Sequence, residues 1–259
     1  MILAGRRIRG GTASGKAVVC RDPISFLGGI DPLTGKIMDE ECDSKGVSIS
    51  RKVFCFPFGK GSTVGSYAMY QLKLNRKAPA AIINSSAEPI VATGAIIADV
   101  PMIDGIDVGL LRTGDRVFVD ADRGTVDVRN LVERHVVTCI VRNAGRILLL
   151  QRSDKVGSFT GLWAGVSGFI ECGETDESAA RRELREEIGR DKVRLVNRVE
   201  TQCFRDGPNV WCVHPFLFDV KDRRVQTDWE HQSVEWVLPK EVSRFDTVPG
   251  LPQIILKLL

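Results

Sequence analysis

The chain has 259 residues, of which 43% are hydrophobic and 27% are charged. This length suggests two domains of roughly 100–200 residues each, and the apolar fraction excludes a disordered or collagen-like chain. The net charge of +3 is too small to indicate a nucleic-acid partner, and no apolar run approaches the roughly 20 residues of a membrane span. Because the first residues lack the apolar core of a signal peptide, we expect a cytoplasmic protein with neither a membrane nor a nucleic-acid partner.

Strands and helices alternate in the first half of the chain. Residues 53–58 and 80–83 are short apolar runs typical of buried strands, and each precedes a segment with helical spacing. Residues 22–50 are polar and rich in glycine, which predicts a long excursion, and the alternating pattern over 117–128 predicts a hairpin. This order predicts an α/β domain with antiparallel edges.

The second half has a different composition, because it holds all four tryptophans and neither tyrosine. We predict a hairpin over 136–151, a helix over 176–188 that ends at Gly189, one long strand over 193–205, another over 210–220, and a helix over 251–259. The change in composition places the domains at residues 1–129 and 134–259.

Three carboxylates share one face of the helix predicted over 176–188. Glu183, Glu186 and Glu187 are three and four residues apart, so their side chains crowd together. Such a cluster repels itself unless a cation lies among its oxygens, and hard oxygen ligands suit Mg²⁺ or Mn²⁺. We therefore predict these three residues as metal ligands, with Glu186 and Glu187 catalytic, and Arg182 as a partner that orients Glu186. The short motif alone would also suit a solvated charged helix.

The complete segment over 168–189 resembles the Nudix box, G-x5-E-x7-R-E-U-x-E-E-x-G-U, where U is apolar. The matching residues are Gly168, Glu174, Arg182, Glu183, Leu184, Glu186, Glu187 and Gly189. The resemblance covers residues 134–259, and Arg190 is its one departure. It implies an α+β Nudix fold, with a mixed sheet sandwiched by helices, that hydrolyses a nucleoside-diphosphate-type or other diphosphate with a divalent cation. The general base varies within this superfamily. Glu230 is a candidate, although it also fits a surface loop.

A glycine-rich turn over 59–66 leads from a predicted strand into a predicted helix. Glycines allow a tight turn, the helix start offers free N–H groups, and Lys60 adds a positive charge, so the turn suits an anion. The spacing is not that of a phosphate-binding Walker loop. Taken alone, such a turn is most often a helix cap that uses Ser62.

Together with residues 75–83 and 92–98, this turn resembles the swivel domain, or small subunit, of the aconitase X family over residues 1–129. That family includes the archaeal phosphomevalonate dehydratase, which converts 5-phosphomevalonate into trans-anhydromevalonate 5-phosphate and water in a modified mevalonate pathway of isoprenoid biosynthesis. The resemblance implies that Ser62 is the catalytic base and that a large partner subunit holds a 4Fe–4S cluster. Lys60 stands where most members have arginine, which leaves the exact substrate open.

The seven cysteines and three histidines show no ligand spacing. We therefore expect reduced thiols, no iron–sulfur cluster on this chain, and structural or surface histidines.

The sequence thus predicts a fusion of a dehydratase small subunit with a Nudix hydrolase, both acting on phosphorylated small molecules. Three alternatives stay open: an inactive Nudix-like binding module, a swivel half that serves only for docking, and the small subunit of a hydroxyproline-type dehydratase. The Nudix substrate is also open, and an isoprenoid diphosphate is suggested only by the fusion.

Overall fold

The computed structural model describes all 259 residues and separates into two units, Met1–Val132 and Glu133–Leu259. Each unit contains a sheet with a buried hydrophobic cluster on either face. None of the helices could span a membrane. The predicted fold class, an α/β swivel domain followed by an α+β Nudix fold, is confirmed.

The first unit is built on an eight-stranded sheet in the order β1-β8-β7-β3-β4-β5-β6-β2. Its strands are β1 (Ile2–Ala4), β2 (Arg6–Arg9), β3 (Thr12–Val19), β4 (Val53–Phe56), β5 (Ala81–Asn84), β6 (Met102–Asp104), β7 (Arg116–Asp120) and β8 (Thr125–Val128). Its helices are α1 (Phe26–Gly29), α2 (Gly65–Leu74) and α3 (Pro89–Ala98), with a 3-10 turn at Val108–Leu110. Strands β3 to β6 are parallel, and the strands outside them pair antiparallel.

Alternation along the central strands gives this sheet two apolar faces. In β4, Phe54 and Phe56 pack toward helices α2 and α3, whereas Val53 and Cys55 face the layer formed by the β7–β8 hairpin. Because parallel strands are covered on both faces, they are apolar throughout rather than alternating with polar residues. This explains why the short apolar runs in the sequence were sufficient to predict them.

The excursion over 22–50 folds back onto the sheet and is held there by Cys20 and Cys42, which form a disulfide. Their Cα atoms are 5.2 Å apart, within the range that a disulfide requires. The prediction of seven reduced cysteines is therefore wrong for this pair, because the return of the excursion brings together residues far apart in sequence. The other five cysteines are free thiols.

The second unit is a mixed sheet between two helices. Its strands are β9 (Val132–Asn143), β10 (Arg146–Arg152), β11 (Trp163–Ala164), β12 (Val166–Phe169), β13 (Arg194–Arg198), β14 (Gln202–Asp206), β15 (Asn209–Asp219) and β16 (His231–Val237). Its helices are α4 (Asp176–Ile188) and α5 (Leu251–Leu258), with a 3-10 helix at Pro239–Arg244. Helix α4 packs on Val137 and Phe218, whereas α5 packs on the opposite face against Ile140 and Leu217.

The single long strand predicted over 193–205 is two strands, β13 and β14, which both pair with β15. The interruption lies opposite Pro215, a residue without an N–H to donate to the ladder. The helix predicted over 176–188 is α4 with the same bounds.

Candidate active sites

Helix α4 is fixed at both ends by its own sequence. The Thr175 side chain accepts a hydrogen bond from the Ser178 N–H, in a reciprocal capping box, and Gly189 ends the helix with a positive φ of 66°. Ala180, Leu184 and Ile188 form its buried face, so the neighbouring Glu183 and Glu187 are also drawn into the packed layer.

The guanidinium of Arg182 is the centre of a carboxylate network at this helix. It donates to Glu174 at 3.1 Å, to Glu183 at 2.6 Å and to Glu186 at 3.1 Å, and it also donates to the Phe169 carbonyl oxygen at 2.9 Å. The Arg182 side chain therefore positions three glutamates of the motif, including its predicted partner Glu186.

Glu187 is the most deeply buried of these carboxylates, with 4% of its surface exposed. Its Oε1 atom accepts a hydrogen bond from the Ser167 N–H at 3.3 Å, whereas its buried Oε2 atom receives no hydrogen bond from the protein. Burial raises the pKa of Glu187 well above its usual range, and the charges of Glu183 and Glu230 raise it further. Burial likewise raises the pKa of Glu183, against the opposing effect of Arg182.

Gly168 allows the sheet and α4 to approach at this point. A Cβ atom at Gly168 would lie 1.8 Å from Glu183 Oε1, closer than any non-bonded contact allows. The first residue of the motif is therefore a glycine because any side chain would displace a carboxylate of the helix.

A cavity of about 760 Å³ opens beside Glu183 and Glu187. It is lined by Glu230, by the basic residues Arg134, Arg152, Lys155, Arg182 and Arg205, and by the aromatic residues Phe159, Phe169, Phe204, Trp211 and Trp229. The ring centroids of Phe159 and Phe169 lie 5.6 Å and 6.0 Å from that of Trp211. The cavity thus combines acidic, basic and aromatic surfaces.

The donor set fits a divalent cation. Glu183 and Glu187 are buried carboxylates whose charged forms are disfavoured, and one oxygen of Glu187 lacks a partner. Glu186 is more exposed but is tied to the same arginine. A hard cation would compensate this negative charge with the oxygen ligands that it prefers.

A second candidate site lies in the first unit, where the parallel strands β4 and β5 end. The turn after β5 is tied to the turn after β4, because the Ser85 and Ser86 N–H groups both donate to the Pro57 carbonyl oxygen at 3.0 Å. In open α/β sheets, ligands bind outside the carboxyl ends of such strands. Gly59 and Gly61 permit the turn: a Cβ at Gly59 would lie 2.3 Å from Glu88 Oε1, and Gly61 has a φ of 108°.

Ser62 is exposed on this turn, and its Oγ accepts a hydrogen bond from the Val64 N–H at 3.3 Å. The helix begins at Gly65, so Ser62 precedes the N-cap rather than being it. Lys60 is paired with Glu41 at 2.5 Å and Asp39 at 3.6 Å, both from the excursion over 22–50. These acids neutralise the positive charge of Lys60, which the sequence analysis placed in the same turn as Ser62.

Two family models match the chain in succession. The model for the aconitase X swivel domain matches residues 2–128, and that for the NUDIX domain matches residues 132–258. The phosphomevalonate dehydratase small subunit of Thermococcus kodakarensis is 59% identical over 128 residues, which cover 49% of this chain and 96% of that protein.

The chain belongs to the aconitase X swivel family. Its swivel half is also 58% identical to a chain in the crystal structure of Thermococcus kodakaraensis aconitase X in the holo-form, over 49% of this chain and 98% of that one, with a TM-score of 0.49. A NUDIX domain follows the swivel domain. The Escherichia coli ORF135 protein is 27% identical over 49% of this chain and 88% of its own, with a TM-score of 0.39.

In the NUDIX domain, Arg182 contacts Glu183 and Glu186, whereas Glu187 lies beside His231. Ser62 lies on the swivel-domain turn. Glu230, the candidate general base, lines the same cavity as Glu183 and Glu187. Sequence reasoning missed His231, which is buried against Glu187. Its position directly after Glu230 was the available signal.

Replacing Glu187 by Gln is expected to raise the melting temperature of the metal-free protein by several degrees. Glutamine keeps an oxygen for the Ser167 N–H but removes a charge that burial, Glu183 and Glu230 disfavour. The stabilisation that Mg²⁺ gives to the native protein should shrink in this variant. Thermal unfolding with and without Mg²⁺ measures both effects.

The matched control is Glu177→Gln, which removes a carboxylate from the same helix that only pairs with Arg181 near the surface. It should change stability by no more than about 0.5 kcal/mol. A metal-free Glu187→Gln protein that melts below the native protein would contradict the assignment of Glu187 as a destabilising buried charge.

Proposed function

We propose that the NUDIX domain hydrolyses a nucleoside-diphosphate-type substrate, with Mg²⁺ or Mn²⁺ held by Glu183, Glu186 and Glu187. The observation that carries this proposal is the burial of two neighbouring carboxylates, Glu183 and Glu187, beside a large cavity, with one Glu187 oxygen that receives no hydrogen bond. When bound, the cation would act as a Lewis acid that neutralises the negative charge developing on the diphosphate.

The rest of the cavity supports a substrate with both phosphate and aromatic parts. Arg152 and Lys155 line it and would pair with phosphate oxygens. Phe169 and Trp211 offer adjacent ring surfaces on which a planar base would stack. A diphosphate without an aromatic group would contact the basic residues Arg152 and Lys155 but would not use the aromatic surface.

Glu230 is the proposed general base. It lines the cavity on the side of Glu183 and Glu187 and its backbone N–H donates to Asp228 at 3.0 Å, which fixes the loop that carries it. As water attacks phosphorus, its proton passes to the Glu230 carboxylate and the bond to the bridging oxygen breaks. Glu230 then releases the proton to solvent.

The variants Glu186→Gln and Glu187→Gln are each expected to lose metal-dependent diphosphate hydrolysis while the domain stays folded. Both remove a charged ligand from the cation, whereas Glu177→Gln on the same helix should retain full activity. Phosphate or diphosphate release is measured with nucleoside di- and triphosphates, nucleoside diphosphate sugars and isoprenoid diphosphates, each with and without Mg²⁺.

Full activity in both variants, on a substrate that the native protein cleaves, would contradict the metal assignment. Cleavage of isoprenoid diphosphates alone would contradict the substrate class and leave the metal site standing. No cleavage of any compound together with no binding of Mn²⁺ would favour the alternative of an inactive binding module.

We further propose that the swivel domain is the small subunit of a phosphomevalonate dehydratase, with Ser62 as its base. The high identity to the Thermococcus small subunit over nearly its whole length supports this role. Ser62 would take the proton from the substrate carbon, and the first N–H groups of α2 would favour its anionic form. The 4Fe–4S cluster of a large subunit would supply the Lewis acid for the hydroxide that leaves.

The surface around Ser62 supports a partner subunit. Phe58, Val64 and Tyr67 lie on the turn and the first turn of α2, and each exposes close to half or more of its surface to solvent. Apolar side chains clustered next to a catalytic residue are typical of a surface that another subunit covers. The proposed complex therefore completes its site at the contact between the two subunits.

The variant Ser62→Ala, assembled with the large dehydratase subunit, is expected to lower phosphomevalonate dehydration by about 10²–10⁴-fold. The substitution removes one hydroxyl that only accepts a hydrogen bond from Val64, so folding and assembly should persist. The control Ser66→Ala removes a hydroxyl that bonds the Thr63 carbonyl oxygen in the same segment and should retain turnover.

Native turnover in a fully assembled Ser62→Ala complex would show that Ser62 only supports the turn. Dehydration of hydroxyproline in place of phosphomevalonate by the native complex would instead select the alternative substrate. Absence of any complex with the large subunit would favour a swivel domain that has lost the dehydratase role.

A further inference from the structure

Two cysteine side chains meet on the hairpin formed by β14 and β15. Cys203 and Cys212 are direct cross-strand partners in the antiparallel ladder, and their Sγ atoms lie 2.8 Å apart. This distance is shorter than two non-bonded sulfur atoms normally allow, and longer than the bond of a disulfide. The two residues are therefore free thiols in direct contact.

The backbone at this pair already suits a disulfide. Directly opposed residues of antiparallel strands have Cα atoms about 4.5–5.5 Å apart, and disulfides span Cα distances of about 4.4–6.8 Å. The ladder runs without a shift in register from Gln202 to Asp206, so the sheet itself fixes the opposed pair. A bond between the two sulfurs therefore requires rotation of the side chains and no movement of the strands.

The two thiols differ in their access to solvent. Cys212 is buried, whereas Cys203 is partly exposed. Burial and the neighbouring Cys203 sulfur raise the pKa of the Cys212 thiol to about 12, so this thiol keeps its proton at neutral pH. The first step of thiol–disulfide exchange needs an accessible sulfur that can become a thiolate. Cys203 is therefore the sulfur that a reagent from solvent reaches first.

The same hairpin carries part of the wall of the NUDIX cavity. Phe204 and Trp211 are the cross-strand pair next to the cysteines, and both line the cavity. Because successive side chains of a strand point to opposite faces, the cysteines lie on the face away from these rings. Strand β14 is hydrogen-bonded to β15 alone, so it is an edge strand held on one side. The cavity wall at Phe204 thus depends on how firmly β14 stays paired.

We propose that Cys203 and Cys212 form a redox-active dithiol, which a small-molecule disulfide oxidises to a disulfide that fastens β14 to β15. In the first step Cys203 attacks the reagent, forms a mixed disulfide and releases one small thiol. The Cys212 sulfur then attacks Cys203 Sγ and the second small thiol leaves. The two protons of the dithiol end on the two thiols released, and two electrons pass from the protein to the reagent. This modification site is independent of the hydrolysis proposed above.

Peptide mapping of the full chain tests the chemistry. The protein is incubated with 2-hydroxyethyl disulfide, the remaining thiols are blocked with N-ethylmaleimide, and trypsin is added without reductant. Cleavage after Arg205 separates the two cysteines, so the disulfide joins peptide 199–205 to peptide 206–221. We expect this linked peptide as the main oxidised form of both segments, and its disappearance after treatment with dithiothreitol.

Single substitutions distinguish a joined pair from two independent thiols. In Cys212→Ala the partner sulfur is missing, so Cys203 should stop at the mixed disulfide and keep the mass of the small thiol. In Cys203→Ala the remaining Cys212 should stay unmodified because it is buried. Cys172 is the internal control, because it is exposed and contacts no other cysteine. It should form only a mixed disulfide in the native chain and in both variants.

Hydrogen exchange measures the structural consequence. We expect amide exchange in β14 to be about tenfold slower in the oxidised native chain than in the reduced chain, because the bond prevents the edge strand from opening. Strand β5 of the swivel domain should exchange at the same rate in both forms. Cys212→Ala, treated with the same reagent, should show no slowing in β14.

Modification of Cys172 without any linked peptide would overturn the inference and leave Cys203 and Cys212 as ordinary packed side chains. A native chain in which Cys203 remains a mixed disulfide would overturn it as well, because the second step would then have failed. A linked peptide without slower exchange in β14 would overturn the role of the bond in holding the strand.

Discussion

The buried negative charge of Glu187 and Glu183 is the constraint on which the NUDIX domain depends. Packing of α4 against the sheet forces both carboxylates out of water, which raises their pKa values and costs free energy unless positive charge is supplied. Arg182 supplies it on one side, where it also binds Glu174 and Glu186. On the other side, Glu187 Oε2 receives no hydrogen bond and lies 3.4 Å from His231 Nε2.

The candidate site of the swivel domain depends on backbone geometry instead of buried charge. Its candidate base is exposed, and the local structure is defined by backbone geometry rather than by buried charge. Glycines shape the turn after β4, and hydrogen bonds to Pro57 tie it to the next strand. The acids of the excursion pair with Lys60, and the Val64 N–H at the start of α2 donates to Ser62 Oγ. The Ser62 turn is therefore open to solvent, whereas the NUDIX cavity is enclosed by the residues of a single domain.

The sequence alone was sufficient to predict those elements and residue groups that depend on interactions between neighbouring residues. The bounds of α4 follow from its cap at Thr175, its apolar spacing and its glycine stop, and the grouping of Glu183, Glu186 and Glu187 follows from helical geometry alone. Apolar runs predicted β4 and β5 because parallel strands are buried on both faces.

Features that depend on distant contacts could not be predicted in this way. The disulfide of Cys20 and Cys42 forms because the excursion folds back, and the division between β13 and β14 reflects their shared partner strand β15. The contact of His231 with Glu187 could not be predicted, because the pairing of β16 with β10 brings the two residues together. The sequence thus predicted the group of three carboxylates but not the histidine that contacts the most buried of them.

A crystal structure of the native chain soaked in Mn²⁺ tests the central claim most directly, because the anomalous signal of manganese locates the ion without reference to activity. We expect a peak about 2 Å from carboxylate oxygens of α4, with Glu187 among the ligands. A fully occupied peak elsewhere, or no peak at these carboxylates at saturating Mn²⁺, would contradict it.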